Sequence, residues 1–298
     1  MTVDSLGQIC ALLAALTWAV ALLFFKRSGE QVPPMALNIF KNVIGLVLLA
    51  VTLALQRDGV QTLRSVPRED LYLLVISGFI GIALADTIFF YSLNLVGVGI
   101  VSIVDCLYSP STIFFAWLLI GERLSPIQWI GAGLVLAGVL VSTRHEPPPN
   151  RTRAALVLGI LLCGISVALM GLGIVLAKLV LQHFPLLWAT TVRLLAGTAA
   201  LALFITATPN RNTLWSIFRP SRAWTTAVPA SILSTYVCLL LWVAGFKYTR
   251  ASIAAVLNQT STVFAIVLAA VVLKEKLTPR KIAALALAMS GVVMVFLG

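Results

Sequence analysis

An all-α polytopic membrane protein, with ten transmembrane helices as two inverted five-helix repeats, is the fold class that this sequence predicts. Three observations lead there: extreme apolarity, ten apolar runs separated by polar breaks, and a residue pattern that returns at a fixed offset. The 298-residue chain is 60% hydrophobic and 10% charged, with a mean hydropathy of +1.04. Soluble domains are about 45–50% apolar and about 25% charged, so a water-soluble fold of this length could not hide so much apolar surface. The runs approach or exceed the roughly 18–20 helical residues that cross a bilayer core about 30 Å thick.

Taken in order, the apolar runs define spans 1 to 10 at 6–25, 34–56, 70–92, 98–120, 126–143, 155–177, 185–207, 223–246, 251–273 and 279–297. The first follows MTVDSLGQ, which lacks a basic leader region, so it reads as a retained helix and not a cleaved signal. Most connections are short. The longest interruptions are 56–70, 143–153 and 208–222. The middle one holds Pro147, Pro148 and Pro149, which cannot continue a helix. It divides the chain into a first repeat at 1–145, a linker at 146–152 and a second repeat at 153–298.

The halves correspond residue by residue. At an offset of 153, Glu122, Leu124, Pro126, Leu134, Gly138 and Val139 return as Glu275, Leu277, Pro279, Leu287, Gly291 and Val292. At an offset of 152, Gly7, Lys26, Pro33, Lys41 and Gly45 match Gly159, Lys178, Pro185, Arg193 and Gly197. Five is odd, so the second unit must enter the membrane from the opposite face. Inverted repeats of this kind are an architecture of alternating-access transporters.

Two five-helix units, a basic residue in the second helix of each (Lys41, Arg193), and E-x-L-[ST]-P ahead of the fifth helix of each resemble the drug/metabolite transporter superfamily, EamA type. The likeness covers essentially the whole chain. It implies export or exchange of a small organic molecule across a bacterial inner membrane, with cytoplasmic termini, and leaves the substrate open. Charge points the other way on orientation. Lys26, Arg27, Arg144, Arg151, Arg153, Arg211, Arg219, Arg222, Lys274, Lys276, Arg280 and Lys281, twelve against seven, fall on the side opposite the termini, which the positive-inside rule would place in the cytoplasm.

Ionisable groups in hydrocarbon cost roughly 2.5–3.5 kcal/mol on insertion scales and face the bundle interior. Lys41, Asp86, Asp105 and Arg193 are four such groups. Two are basic and two acidic, which fits two internal ion pairs or a cavity for a zwitterion. The aspartates have no acidic counterparts, since Leu239 and Asn258 occupy those places. They also offer a route to proton coupling. Ser102, Asp105, Ser109 and Thr112 share one face of span 4, and Asn258, Gln259 and Thr262 stand at the equivalent level of span 9. Asn38 on span 2 and Tyr108 on span 4 complete the expected substrate-binding set. Pro110 is expected to kink or hinge span 4. Span 8 carries Ser231, Ser234, Thr235 and Cys238 along one side, a stripe equally suited to packing. Spans 5 and 10 have small residues four apart, Gly133 and Ala137, Ala284 and Ala288, Ala286 and Ser290, which read as scaffold or a dimer seam.

Other classes find little support. The +11 net charge lies in short loops without interleaved aromatics, against nucleic acid. Cys10, Cys106, Cys163 and Cys238 are scattered, with no CxxC, so no metal, cofactor or disulfide framework is expected. A lipid-acting enzyme would need a nucleophile and base at one depth, and His145 and His183 both sit at loops. The expected partners are a small-molecule substrate and the bilayer, with the protein a monomer or homodimer. An amino acid or related zwitterion is the leading substrate class. The alternatives are an anionic substrate, such as a sugar phosphate or nucleotide sugar, held by Lys41 and Arg193, and a non-transporting assembly or sensor role.

Overall fold

The computed structural model describes residues 3–29, 32–56, 67–142, 152–272 and 279–298, and all regular structure among them is helical. The first half contains α1 (Val3–Gly29), α2 (Pro34–Leu55), α3 (Arg68–Gly78), a π-helical segment (Phe79–Leu84), α4 (Ala85–Val104), a 3-10 turn (Asp105–Leu107), α5 (Tyr108–Ile120) and α6 (Pro126–Ser142). The second contains α7 (Arg153–Leu181), α8 (Leu186–Ala207), the short α9 (Arg211–Trp215) with a 3-10 turn (Ser216–Phe218), α10 (Trp224–Ser231), a π segment (Ile232–Cys238), α11 (Leu239–Tyr248), α12 (Ala251–Asn258), α13 (Ser261–Val272) and α14 (Pro279–Leu297). Prolines open α2, α6 and α14, where a missing N–H costs no helical hydrogen bond. Among the described residues six helical runs are long and apolar enough to cross a membrane, and shorter apolar helices accompany them.

Side chain to backbone bonds fix the direction of each pass. Ser77 donates to Gly173 O at 2.5 Å, Ser166 to Ala85 O at 2.8 Å and Ser92 to Gly159 O at 2.8 Å. The stretch from α3 into α4 therefore runs antiparallel to α7. Leu107 then nears Gly164, Thr112 packs on Gly171 and Glu122 meets Lys178, which is parallel progress along the same helix. The reversal thus falls between Val96 and Leu107. Helical hydrogen bonding continues across 93–97, so the break expected there between spans 3 and 4 is not a coil.

The inverted relation shows in paired contacts. A Cβ on Gly7 would strike Thr249, and one on Gly159 would strike Val96. Gly45 meets Thr235 as Gly197 meets Ile82. The Cys238 thiol donates to Ala14 O at 3.3 Å, in the place where the Ser166 hydroxyl meets Ala85 O. α7 ends where α1 begins: Lys178 donates to Thr249 O, and the Thr249 hydroxyl donates to the Asp4 carboxylate. Equivalent helices therefore cross the bundle in opposite senses.

α6 and α14 pack closely on one another. A Cβ on Gly291 would lie 2.5 Å from Gly131 O, and one on Gly131 would lie 2.7 Å from Gly291 O. The seam predicted for these helices is thus internal to the chain and runs through a different pair of residues. Gly133 faces open space, and Ala286 and Ser290 are exposed. Ala288, by contrast, is fully buried, so the four-residue spacing found the right helices and marked residues on both their buried and their exposed sides.

The largest apolar cluster gathers Ile113 and Ala116 of α5, Ile174, Val175, Ala177, Val180 and Leu181 of α7, Val243 and Phe246 of α11 and nearly all of α12. It fills the bundle on the side that carries the amino terminus. Two smaller clusters lie toward the other side, one around Phe40, Ile205 and Ile217, the other around Val96, Val104 and Cys163.

Candidate functional site

Two turns into α2, Asn38, Lys41 and Asn42 point into the bundle, with Asn38 and Asn42 1% exposed. Lys41 Nζ lies 4.0 Å from Asp86 Oδ2 and donates to Asn42 Oδ1 at 3.2 Å. One ion pair expected from the sequence is thus closed. Both side chains keep some access, 19% for Lys41 and 13% for Asp86.

Arg193, two turns into α8, is the repeat partner of Lys41 but is held differently. Its Nε donates to Ser77 Oγ at 2.7 Å, and Ser77 passes its own proton to Gly173 O. The guanidinium carbon stands 5.6 Å from the centre of the Trp242 ring, a cation–π distance. Glycines make the room: a Cβ on Gly81 would come 3.7 Å from the Arg193 fork, and one on Gly78 within 2.2 Å of Arg193 O. Among the described residues no carboxylate pairs with Arg193, and its two Nη groups make no hydrogen bond. The fork is thus held from behind by one nitrogen, with its carboxylate-matching edge free.

Asp105 opens the 3-10 turn between α4 and α5. Its backbone carbonyl accepts from Gln259 Nε2 at 3.0 Å. Gln259 and Thr260 form the turn between α12 and α13, so the two broken helices touch at their breaks. The Asp105 carboxylate has no cationic partner among the described residues. Tyr108 lies within electrostatic reach of both Asp105 and Arg193.

Polar atoms are stranded around these groups. Asn42 Nδ2, Ser109 Oγ, Trp188 Nε1 and Asn258 Nδ2 are buried without a hydrogen-bond partner among the described residues, whereas Asn38 lies by the Asp86 carboxylate and the Tyr108 hydroxyl by Thr112 and Trp242. Native proteins rarely leave such groups unmade, because each costs about 1–3 kcal/mol. Asn38 and Asn42 flank Lys41 on α2, and Tyr108, Ser109 and Asn258 lie at or beside the breaks of the two broken helices.

Of the residues named from sequence, Asp105 and Gln259 are directly joined, Lys41 joins Asp86 with Asn38 beside it, and Tyr108 lies by Arg193. Asn258 ends α12 and Thr262 begins α13, both half-buried. The Ser102 side chain lies outside the described residues. Pro110 is exposed in the first turn of α5. Ser231, Ser234 and Thr235 bond locally, so most of the polar stripe of span 8 packs, while Cys238 at its end lies within electrostatic reach of Lys41. Sequence reasoning missed Ser77. Ser77 sits in no polar stripe, and only the small-residue context ISGFIG, Ile76 to Gly81, signals a close helix approach.

Comparison with known proteins bears on this arrangement. The profile of the EamA-like transporter family matches residues 5–144 and again 157–297. The chain belongs to the EamA-like transporter family. It is accordingly a multi-pass membrane transporter and not an enzyme. An uncharacterised transporter of Bacillus subtilis strain 168, YoaV, is 23% identical over 142 residues, and the match covers 46% of each chain. One solved crystal structure of a protein superposes with a TM-score of 0.80 at 22% identity, covering 99% of this chain and 97% of that one. At that identity the likeness concerns the fold alone. Two EamA units account for both the fixed offset and the paired contacts between the halves.

Proposed function

We propose that this EamA-family protein moves a small zwitterion, an amino acid or close relative, by alternating access across a bacterial inner membrane. A single observation carries the reading: of four interior charges, Lys41 and Asp86 face one another, while Arg193 and Asp105 have no ionic partner among the described residues and both act electrostatically on Tyr108. An unpaired cation and an unpaired anion in low dielectric are costly. A ligand carrying one carboxylate and one ammonium would relieve both. The Arg193 fork suits the carboxylate, Asp105 the ammonium, and Asn258, Tyr108 and Ser109 supply further hydrogen bonds. Asn38, Lys41 and Asp86 line the far end of the path, with Gln259 and Thr262 shaping its middle. Asp105, once vacated, is the group suited to couple transport to a proton. The repeats are taken as 1–145 and 153–298. The internal α6–α14 seam favours a monomer.

The test is exchange in proteoliposomes against a panel of amino acids and metabolites, with and without a proton gradient. A zwitterionic hit should be abolished by both Arg193→Gln and Asp105→Asn. An anionic substrate would instead tolerate Asp105→Asn and require Lys41. That reading is disfavoured because Lys41 is already neutralised by Asp86. Transport of no panel member would sink the proposal.

A further inference from the structure

The outermost layer of the bundle on the amino-terminal side holds a second ionic cluster, remote from the substrate site. Glu122, in the loop between α5 and α6, lies 2.9 Å from Lys178 near the end of α7. The same carboxylate accepts from the Ala251 N–H at 2.9 Å, the Ser252 N–H at 3.0 Å and the Ser252 hydroxyl at 3.0 Å. Lys178 donates in turn to Thr249 O at 2.5 Å, and the Thr249 hydroxyl reaches Asp4 on α1. Arg250 Nη1 donates to Arg123 O at 3.1 Å. Lys178 and Glu122 are 7% and 9% exposed.

This cluster fastens the first repeat to the second at the mouth of the path. Glu122 belongs to the hairpin that follows the Asp105-bearing helix. Ala251 and Ser252 begin the helix that ends in Asn258. Between cluster and site the path is solid, since Ile253 to Leu257 are each at most 1% exposed and pack on Ile113 and Ala116. Alternating access requires that this closure come apart. The α6–α14 seam is glycine against glycine and offers water nothing to replace. The cluster is made of charges, hydroxyls and backbone amide groups, which water can solvate once the mouth parts, and it borders the exposed Arg123.

We propose that the Glu122–Lys178 pair is the latch that sets which face the site opens to, breaking and re-forming once in each transport cycle. It rests on the alternating-access reading, yet can be tested without knowing the substrate. In a cysteine-free background carrying Asn258→Cys, a membrane-impermeant maleimide is added on the side where an amino-terminal tag is accessible. Glu122→Gln/Lys178→Met removes both charges, leaving none buried alone. The double variant should label at least about tenfold faster from that side, because loss of the latch shifts the population toward the state open there. The melting temperature of each preparation establishes that it is folded. Should the double variant fail to fold, Glu122→Asp, one methylene short of its partners with its charge kept, should show the same direction. A folded variant that labels no faster than its parent overturns the proposal and makes the cluster a static brace. Failure here leaves the zwitterion reading intact, and an empty exchange panel leaves the latch intact.

Discussion

Arg193 shows how far one side chain depends on its neighbours having none. Gly78, Gly81 and Gly173 let α3, its π segment and α7 approach until Ser77 can grip the guanidinium Nε while bonding Gly173 O. An added methyl at Gly78 would meet the Arg193 backbone itself and force two helices apart. Gly78→Ala is therefore expected to lower stability by about 1–3 kcal/mol, the usual cost of overpacking, and to disturb binding at Arg193. Gly133→Ala is the matched control. Its new methyl meets nothing within 4 Å, and it should gain up to about 1 kcal/mol from helix propensity. Thermal denaturation of both variants in one detergent checks the pair. Ser77→Ala should lower stability by about 1.5–3 kcal/mol, since a buried charged N–H loses its acceptor, and weaken substrate binding by freeing the guanidinium to turn, while Ser77→Thr restores both. Lys41 and Arg193 were legible in the sequence because an offset of 152 repeats a basic residue inside an apolar run. Ser77 was not, because nothing local separates a serine that bonds its own helix from one that positions a charge on another.

At the scale of elements, irregular helices recur in register, and prolines do not explain them. The π segment Phe79–Leu84 returns as Ile232–Cys238, and the turn Asp105–Leu107 returns near Gln259–Thr260. Pro229 precedes only the second π segment, and Pro110 follows only the first turn; Ile76 and Val263 hold the equivalent places. Each break is thus made once without a proline. The hinge expected of Pro110 is better assigned to the turn just before it, since a proline in a helix's first turn displaces no hydrogen bond. Pro110→Ala should leave the turn and exchange activity in place, with stability changed by less than about 1 kcal/mol. Gln259→Leu, which orphans Asp105 O, should impair exchange, and parallel assays of the two variants decide between proline and turn. The ten spans were readable because apolar length is a strong signal in lipid. The breaks within them were not, because a run such as FIGIAL, Phe79 to Leu84, is equally apolar as α or π helix. The small-residue seam was read on the right helices, with Ala288 buried but Gly133, Ala286 and Ser290 exposed, since spacing fixes a stripe but not its partner.

Among the contacts that join the two like halves, two contrast most: an apolar seam at α6 and α14, and a charged closure at the amino-terminal mouth. Only the second can respond to solvent conditions. Burial of Glu122 pushes its carboxyl upward, but the Lys178 ammonium and the amides of Ser252 and Ala251 outweigh it and hold the group below its ordinary value of 4.5. The sign follows from linkage. A carboxyl whose folded value is depressed stabilises the folded, closed form fully above the ordinary value, and that contribution fades as pH falls through the lowered one. At neutral pH, Glu122→Gln should therefore be less stable than the parent, by on the order of 3 kcal/mol, because Lys178 is left buried without its partner. Below about pH 4.5 the parent progressively loses the same interaction, so the gap between the two melting curves should close. Melts of parent and variant across that range read this directly. A gap independent of pH would mean that Glu122 contributes as a neutral cap of α12 and not as a charge. The repeated E-x-L-[ST]-P motif that revealed the duplication would then be scaffold throughout, with no ionic latch for a transport cycle to break.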